Sequence, residues 1–487
     1  MTVDTPELSR RNDMLSAHAV SAHADRKAPA FVELSDRLWG MPELRWEEVR
    51  SVEEHIAAAE AEGFTITRDL AGMPTAFMAE CGEGDVTIGF LGEYDALAGL
   101  SQEAGLTEQK PLEQGGKGHG CHHNLLGSAS LLAAVALRDA LAEAGVRARV
   151  RYFGCPAEEG GSGKTYMARE GCFDGLDAAF CWHPAPYNAV MSAATLANKQ
   201  AYFRFTGRSA HAAVSPEVGR SALDALELMN IGVNFMREHM SSNCRVHYSI
   251  TETGGRSPNV VQGYAEGLYL VRAPRLEEAD DLYARVMRIA EGAALMTDTT
   301  FEVVFDRATS GILPNRALEE AMHGVFETIG APQFDEADHE YADRLAVAAL
   351  TDSDRRASAK AFGAELEYPR NLHEGILALP PEPGLFFGST DVGDVSNVVP
   401  VAQCLTATTV IGTPFHTWQT VTQGKMPHAH KAMVTAAKVM ASTAAHVVRD
   451  PDLRSAAQAE FRKRRGGEAY RSPMPDDKKA PKNSRSS

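Results

Sequence analysis

"RARVRYFGCPAEEGGSGKTYMAREG", residues 147–171, reads as a strand that runs into a Gly-rich loop and then a helix. Two neighbours repeat the theme. Upstream, "DVTIGFLGEYDAL" (85–97) is a short apolar run of strand-forming residues ending in acids. A Gly-rich loop (114–120) and an apolar helix from Leu125 to about Ala144 follow it. Downstream, "LDAAFCWHPAP" (176–186) is a third strand, ending at His183. Strands that alternate with helices predict an α/β fold with a mixed, largely parallel sheet flanked by helices. In such sheets functional groups collect at the carboxyl ends of the strands. Asp95, Glu158, Glu159 and His183 all fall there.

Beyond residue 196 the rhythm changes. "KQAYFRFTGRSAHAA" (199–213) is a strand with a turn, and 221–240 a long helix. Residues 246–274 read as two strands around a loop, 276–297 as a second helix and 300–309 as a further strand. This β-α-β-β-α-β order predicts an inserted ferredoxin-like α+β domain over 197–312. It divides a catalytic domain into a first part, 1–196, and a second part, 313–450. The second part has a helix over 316–329, an apolar run over 401–411 and an Ala-rich helix over 428–448. Residues 1–30 are expected to form a helical arm or a loosely ordered one. The C-terminal tail, 451–487, is expected to lack fixed structure, its last residues being charged and poor in apolar side chains.

The 487 residues are enough for two domains, and 44% hydrophobic with 23% charged residues is a globular composition. A formal net charge of -17 argues against nucleic acid and anionic membrane as partners. The seven cysteines are odd in number and scattered, so reduced thiols and a cytoplasmic location are expected. The first twenty residues are polar, with no apolar core of a signal peptide.

Thiolate, imidazole and carboxylate are the ligands of transition-metal sites. Cys121 and His123 sit in "GHGCHHNLLG", where a Gly-rich loop lets near neighbours converge. Glu158 and Glu159 follow a strand; adjacent carboxylates there point different ways, so one can bind metal while the other faces substrate. His183 ends the next strand, and His416 lies in the turn-rich "GTPFHTWQT". Each alone would be an ordinary surface or core residue. Their shared position at strand ends and beside Gly-rich loops marks them as a set.

These segments, with "WGMPELRWEE", "GEYDALAGL", "PAEEGGSGK", "GRSAHAA", "SPNVVQGYAEG" and "STDVGDVSNVVP", resemble the aminoacylase and carboxypeptidase G family of dinuclear metallopeptidases, metallopeptidase family 20. The subgroup most similar contains p-aminobenzoyl-glutamate hydrolase and the auxin-conjugate amidohydrolases. The resemblance spans about residues 31–450. It implies two divalent metal ions, zinc or manganese, bridged by Cys121. His123 and His183 would complete one, Glu159 and His416 the other. Glu158 would be the general base for water activated by the metals, and Asp95 would hold the tautomer of His123. The resemblance also implies a homodimer in which the inserted domain serves as lid and dimerisation unit. His211 would reach the partner's active site and, with Asn259, steady the oxyanion. Arg272 would face a substrate carboxylate.

Two positions depart from the subgroup. His122 stands where it usually has glycine, and Asn397 where related enzymes often have an aromatic residue. Both are candidate substrate contacts. The function implied is hydrolysis of a small N-acyl or aroyl amino-acid amide. The alternative is hydrolytic deamination of an electron-poor aromatic amine such as a nitroanthranilate, kept open by His122 and Asn397. A relative that only binds a ligand fits poorly with an intact ligand set plus Glu158.

Overall fold

The computed structural model describes residues 13–482. In chain order the elements are α1 (Ala17–Trp39), α2 (Val49–Ala61), β1 (Thr65–Arg68), β2 (Phe77–Gly82), β3 (Thr87–Glu93), α3 (His123–Ala144), β4 (Arg149–Cys155), α4 (Gly163–Arg169), β5 (Ala178–Ala185), β6 (Ala189–Val190) and β7 (Ala193–Thr195). A second run follows: β8 (Ala197–Thr206), α5 (Ala222–Arg237), β9 (Arg245–Glu252), β10 (Tyr264–Ala273), α6 (Leu276–Thr297) and β11 (Thr300–Thr309). The chain then continues through α7 (Arg316–Ile329), α8 (Glu336–Ala349), α9 (Asp352–Phe362), β12 (Gly384–Phe386), α10 (Val392–Ser396), β13 (Val401–Ala407), α11 (Trp418–Val421), α12 (Pro427–Arg449) and α13 (Pro451–Arg464).

Seven strands make the large sheet, in the order β1-β2-β4-β3-β5-β13-β6. Its centre is parallel: β3 pairs with β4 and β5, and β5 with β13. Antiparallel strands close both edges. Every residue of β3 and β13 is buried, which is why both read as unbroken apolar runs rather than alternating ones. Helix α3 is apolar nearly all round because it packs on the sheet with α1 and α12 on its other sides. By length and composition alone it could cross a membrane, but most of it is buried in this core. Gly127 lets α3 approach the sheet: a Cβ there would lie 2.5 Å from the Glu93 carbonyl and 2.6 Å from His55 Nε2. The first turn of α3 is thereby set beside the end of β3.

Residues 197–309 form a second, four-stranded sheet in the order β11-β8-β10-β9, antiparallel throughout. The order and the two helices are ferredoxin-like, as the sequence predicts. Helices α5 and α6 cover one face and share a separate hydrophobic core with Phe203, Phe205, Tyr269 and Val271.

The N-terminal arm takes the helical one of its two expected forms, and the C-terminal end differs from expectation. Helix α1 is anchored by buried Val20, Ala24 and Phe31, not loosely ordered; residues 1–12 of the arm lie outside the described residues. The tail is folded as far as it is described. Asp450 caps α13, accepting from the backbone N–H groups of Asp452 and Leu453, and Ala457 and Phe461 are buried. Past the helix, Tyr470 donates to Asp394 Oδ1 at 2.9 Å and Met474 is buried. Lys478 Nζ donates to the Phe305 carbonyl at 2.8 Å, tying the tail to the second sheet. A handful of well-placed anchors suffices where bulk composition suggests none.

Candidate metal centre

The parallel strands deliver their carboxyl ends to one rim of the large sheet, and the loops beyond them build a single cluster. β3 ends at Glu93 and is followed by Asp95. α3 begins at His123. β4 is followed by Glu158 and Glu159, β5 carries His183, and the segment after β13 carries His416. Asp95 is the organiser. One carboxylate oxygen accepts from His123 Nδ1 at 2.9 Å and the other from the Glu159 backbone N–H at 2.8 Å. A second tie, from His416 N–H to the Gly120 carbonyl at 3.0 Å, draws the last loop to the first. His122, Ala157, Ser162 and His416 all have positive φ, so backbone strain is concentrated in the loops that carry the cluster.

Cys121, His123 and His183 have ligand atoms within 4.8 Å of one another, and so do Cys121, Glu159 and His416. The two triads share the Cys121 sulfur, which lies 3.3 Å from His183 Nε2. His123 gives its Nδ1 proton to Asp95 and His183 gives its own to the Pro184 carbonyl, at 2.7 Å. Both rings therefore turn Nε2 inward, the arrangement in which a neutral imidazole offers its lone pair. A third group, Glu93, His123 and Glu158, also converges.

Three buried polar atoms here are held by charge contacts alone: His123 Nε2 faces Glu93 Oε2 at 3.2 Å, and Glu159 Oε1 faces His416 Nε2 at 3.3 Å. The charges fit a bound cation. Burial opposes ionisation of Cys121, but the charge of His183 together with hydrogen bonds from His123 and His183 outweighs it, and the thiol falls to about 6. Burial likewise opposes a charged Glu159, but the His416 hydrogen bond and the charges of His123, His416 and His183 together lower it to about 2. Hydrogen bonding to Cys121 and then Glu159 lifts His416 to about 11. Protons on imidazoles thus balance a thiolate and carboxylates, and those protons are what a bound metal displaces. Glu158 is the exception. Burial first, then Glu93, Glu159 and Asp391, push it well above the carboxylate range.

A cavity of about 940 Å³ opens onto the cluster and is lined by Cys121, Glu158, Glu159, His183 and His416. The other candidates lie elsewhere. His211 and Asn259 are exposed and close to each other on the second sheet's loops: Ala212 N–H donates to the Asn259 carbonyl at 2.9 Å, and His211 bridges Val260. Neither lines the cavity. Arg272 lies on β10, half-buried, with its Nε unpartnered, and it does not line the cavity either.

His122 and Asn397 are corrections. His122 is fully buried and turned from the cavity; its Nε2 meets the Thr420 carbonyl at 2.6 Å and its Nδ1 the Thr408 hydroxyl at 3.3 Å. Its φ of 57° is one that glycine adopts freely and a histidine seldom does. Asn397 closes α10, its amide donating to the Gly311 and Gly393 carbonyls at 3.0 and 2.8 Å. Both residues serve the fold.

Sequence reasoning missed three charged residues behind the cluster. Lys164 is fully buried, with Nζ 2.6 Å from Glu93 Oε1 and 2.7 Å from Asp391 Oδ1. The acidic end of 85–97 and the Gly-Lys in "GSGK" were the available signals, but nothing local pairs them. Arg307 was also missed; its guanidinium is buried beside Gly160, where a Cβ would lie 3.7 Å from its Cζ.

A doubly flanked sheet with such a donor cluster at its carboxyl rim defines a metallohydrolase type of protein. No family model matches the chain. It is 46% identical to one of the polypeptides of p-aminobenzoyl-glutamate hydrolase from Escherichia coli (strain K12), over 93% of this chain and 95% of that one. It is 32% identical to Xaa-Arg dipeptidase of Mus musculus, over 60% of this chain and 67% of that one. An aminobenzoyl-glutamate utilization protein from Klebsiella pneumoniae shares the fold, with a TM-score of 0.57, 16% identity, and coverage of 88% of this chain and 98% of that one. The chain belongs to metallopeptidase family 20, the aminoacylase and carboxypeptidase G family, in the subgroup of p-aminobenzoyl-glutamate hydrolase. It is a hydrolase of carbon–nitrogen bonds.

Proposed function

We propose that the chain hydrolyses a small N-acyl or aroyl amino-acid amide, of the aminobenzoyl-glutamate kind. Two divalent metal ions would be held by Cys121, His123, His183, Glu159 and His416, with Cys121 shared. The observation that carries this reading is Glu158: a carboxylate on the cavity wall, beside both triads and in neither. When bound, the cations lower the pKa of water and polarise the scissile carbonyl. Glu158 takes the proton of the attacking water and returns it to the leaving amine. Asp95 keeps His123 in the tautomer that presents Nε2. Arg272 does not line this chain's cavity, so it would meet the amino-acid carboxylate only across a subunit interface, as His211 would. The thiolate favours zinc among the candidate metals, with manganese the other choice. The aromatic-amine alternative loses its support, since His122 and Asn397 are both occupied in the fold.

The test joins metal analysis to product analysis. Purified protein is expected to carry about two divalent ions per chain and to release free glutamate from aminobenzoyl-glutamate. Ammonia from an aromatic amine, with no amino acid from any amide, would reverse the assignment.

His211 and Asn259 support a homodimer, because as oxyanion donors they would have to serve a cavity they do not line. A mixing experiment checks this. His211→Ala and Glu158→Gln are each expected to be inactive. Unfolded together and refolded, they should regain roughly a quarter of wild-type activity, since half the dimers are mixed and each has one intact site. No recovery, with mixed dimers shown to form, would mean that His211 does not act across the interface, and an active His211→Ala would place it outside the chemistry.

A further inference from the structure

The second sheet and its helices have their own core and join the rest of the chain through two short connections, 195–198 and 309–312. No helix or strand of this second unit shares an extended contact with one of the large-sheet layers. Units joined so sparsely move against each other unless something else holds them. The connections themselves are lightly pinned. Leu196 N–H donates to the Gly388 carbonyl at 3.0 Å, Ser310 N–H to the Asp394 carboxylate at 3.2 Å, and Ile312 N–H to the Thr195 hydroxyl at 2.9 Å. One side-chain tie crosses the joint at Phe387, whose ring Arg245 overlies at 4.7 Å.

The C-terminal tail crosses the same joint. Its first half is fixed to the large-sheet unit: Tyr470 donates to Asp394 Oδ1 at 2.9 Å, and Met474, 3% exposed, shares a core with Met167, Phe173 and Val392. Asp394 also accepts from the Thr165 hydroxyl at 2.6 Å, so one carboxylate gathers the helix after the metal loop, a connection and the tail. Arg169 then donates to the carbonyls of Pro475 and Lys478 at 3.2 and 2.9 Å, which holds the tail backbone to α4 as far as residue 478. The Lys478 side chain reaches the other way. Its Nζ donates to the Phe305 carbonyl at 2.8 Å, on β11, the edge strand of the second sheet. Lys478 and Pro481 line a cleft of about 240 Å³ whose other walls include Gly160 and Gly161 of the metal loop and Tyr202 and Phe305 of the second sheet. A further bridge, Arg471 to Asp280 of α6 at 3.7 Å, is 81% exposed at the arginine and contributes little. Lys478 thus has its backbone on one unit and its charge on the other.

We infer that residues 470–481 are a strap over the joint, and that Lys478 fixes the angle of the second unit to the loops that carry the metal cluster. The two move apart only when its bond to β11 opens. The inference goes beyond the amidohydrolase reading and needs no substrate. Its test is hydrogen exchange on the metal-loaded full chain, read at the backbone amides of Leu196, Ser310 and Ile312. Lys478→Met keeps the aliphatic stem and loses the donor. It should speed exchange at those three amides about tenfold, the worth of one charge-assisted hydrogen bond. Arg169→Met frees the strap at its other end and should do the same. The double variant should do no more than either alone, because a strap cut twice is still one strap. Lys479→Met makes the same change one residue on, at an exposed position, and should leave the joint as it is. Amides inside each core, Phe203 on β8 and Leu131 on α3, should exchange at wild-type rates in every variant. Wild-type exchange at the joint in either single variant, an equal effect of Lys479→Met, or additive effects in the double variant overturns the inference. So does acceleration of both cores along with the joint, which would make the tail a support of folding and not a strap.

Discussion

Glu158→Gln is expected to lower turnover by about 10²–10⁴-fold, the usual contribution of a general base, with no loss of bound metal. Glutamine matches the carboxylate in shape and cannot take a proton. Neither triad that shares Cys121 includes Glu158, so the cluster keeps its ligands. The third group, Glu93, His123 and Glu158, makes the measurement decisive. If Glu158 is a ligand there, metal per chain falls together with activity. If it is the base, metal per chain is unchanged. Stability supplies an independent sign. Burial and the neighbouring Glu93, Glu159 and Asp391 all disfavour a charged Glu158. A neutral amide removes that conflict, so the metal-free variant should melt no lower than the metal-free wild type. A lower melting temperature, or metal loss, would show that Glu158 holds the site together rather than acting in it.

What could be read in the sequence follows from the range of the interactions involved. β3 and β5 were legible because burial on both faces leaves a continuous apolar signature, and β4 because its second half is buried in the same way. Their carboxyl ends could then be searched for ligand types, which picks out Asp95, Glu158, Glu159 and His183. The second sheet was legible through its alternating strands. His122 was misread because residue type gives no side-chain direction. An imidazole next to Cys121 suggests a pocket residue, but a φ of 57° swings it toward Thr420. Asn397 was misread for the same reason. The tail was misjudged because composition averages over a segment, whereas docking depends on single anchors such as Tyr470 and Met474. The buried ion cluster stayed hidden because its members are 71 and 227 residues apart in the chain. A lysine in a Gly-rich loop reads as solvated until the fold supplies its partners.

Replacing that lysine is the second large effect. Lys164→Met should destabilise the protein by about 3–5 kcal/mol, the cost of breaking a buried ion pair by removing one partner. The methionine fills the space of the aliphatic stem, so cavity formation is a minor part. The loss is electrostatic. Glu93 and Asp391 remain buried, and Asp391 keeps only its bond from the residue-164 backbone N–H, at 2.9 Å in the wild type. The pH dependence has a definite sign. Burial opposes all three charges, but in the wild type the carboxylates hold Lys164 well above its ordinary 10.5 and Lys164 holds Glu93 below its ordinary 4.5, whereas burial leaves Asp391 above its ordinary 3.8, so the acid-side term comes from Glu93. The stabilisation is therefore complete between those two limits. It fades as pH falls through the carboxylate range or rises through the raised ammonium. The difference in melting temperature between wild type and Lys164→Met should be several degrees at pH 7 and should narrow toward pH 4. A second substitution, Asp391→Asn in the Lys164→Met background, should recover part of the loss by removing one unpaired charge. Activity should suffer beyond the stability cost, because uncompensated charge on Glu93 lies beside His123, at 3.2 Å, and disfavours ionised Glu158. An unchanged melting temperature at pH 7 would mean that water reaches Lys164 and that the cluster is not the support of the metal loops.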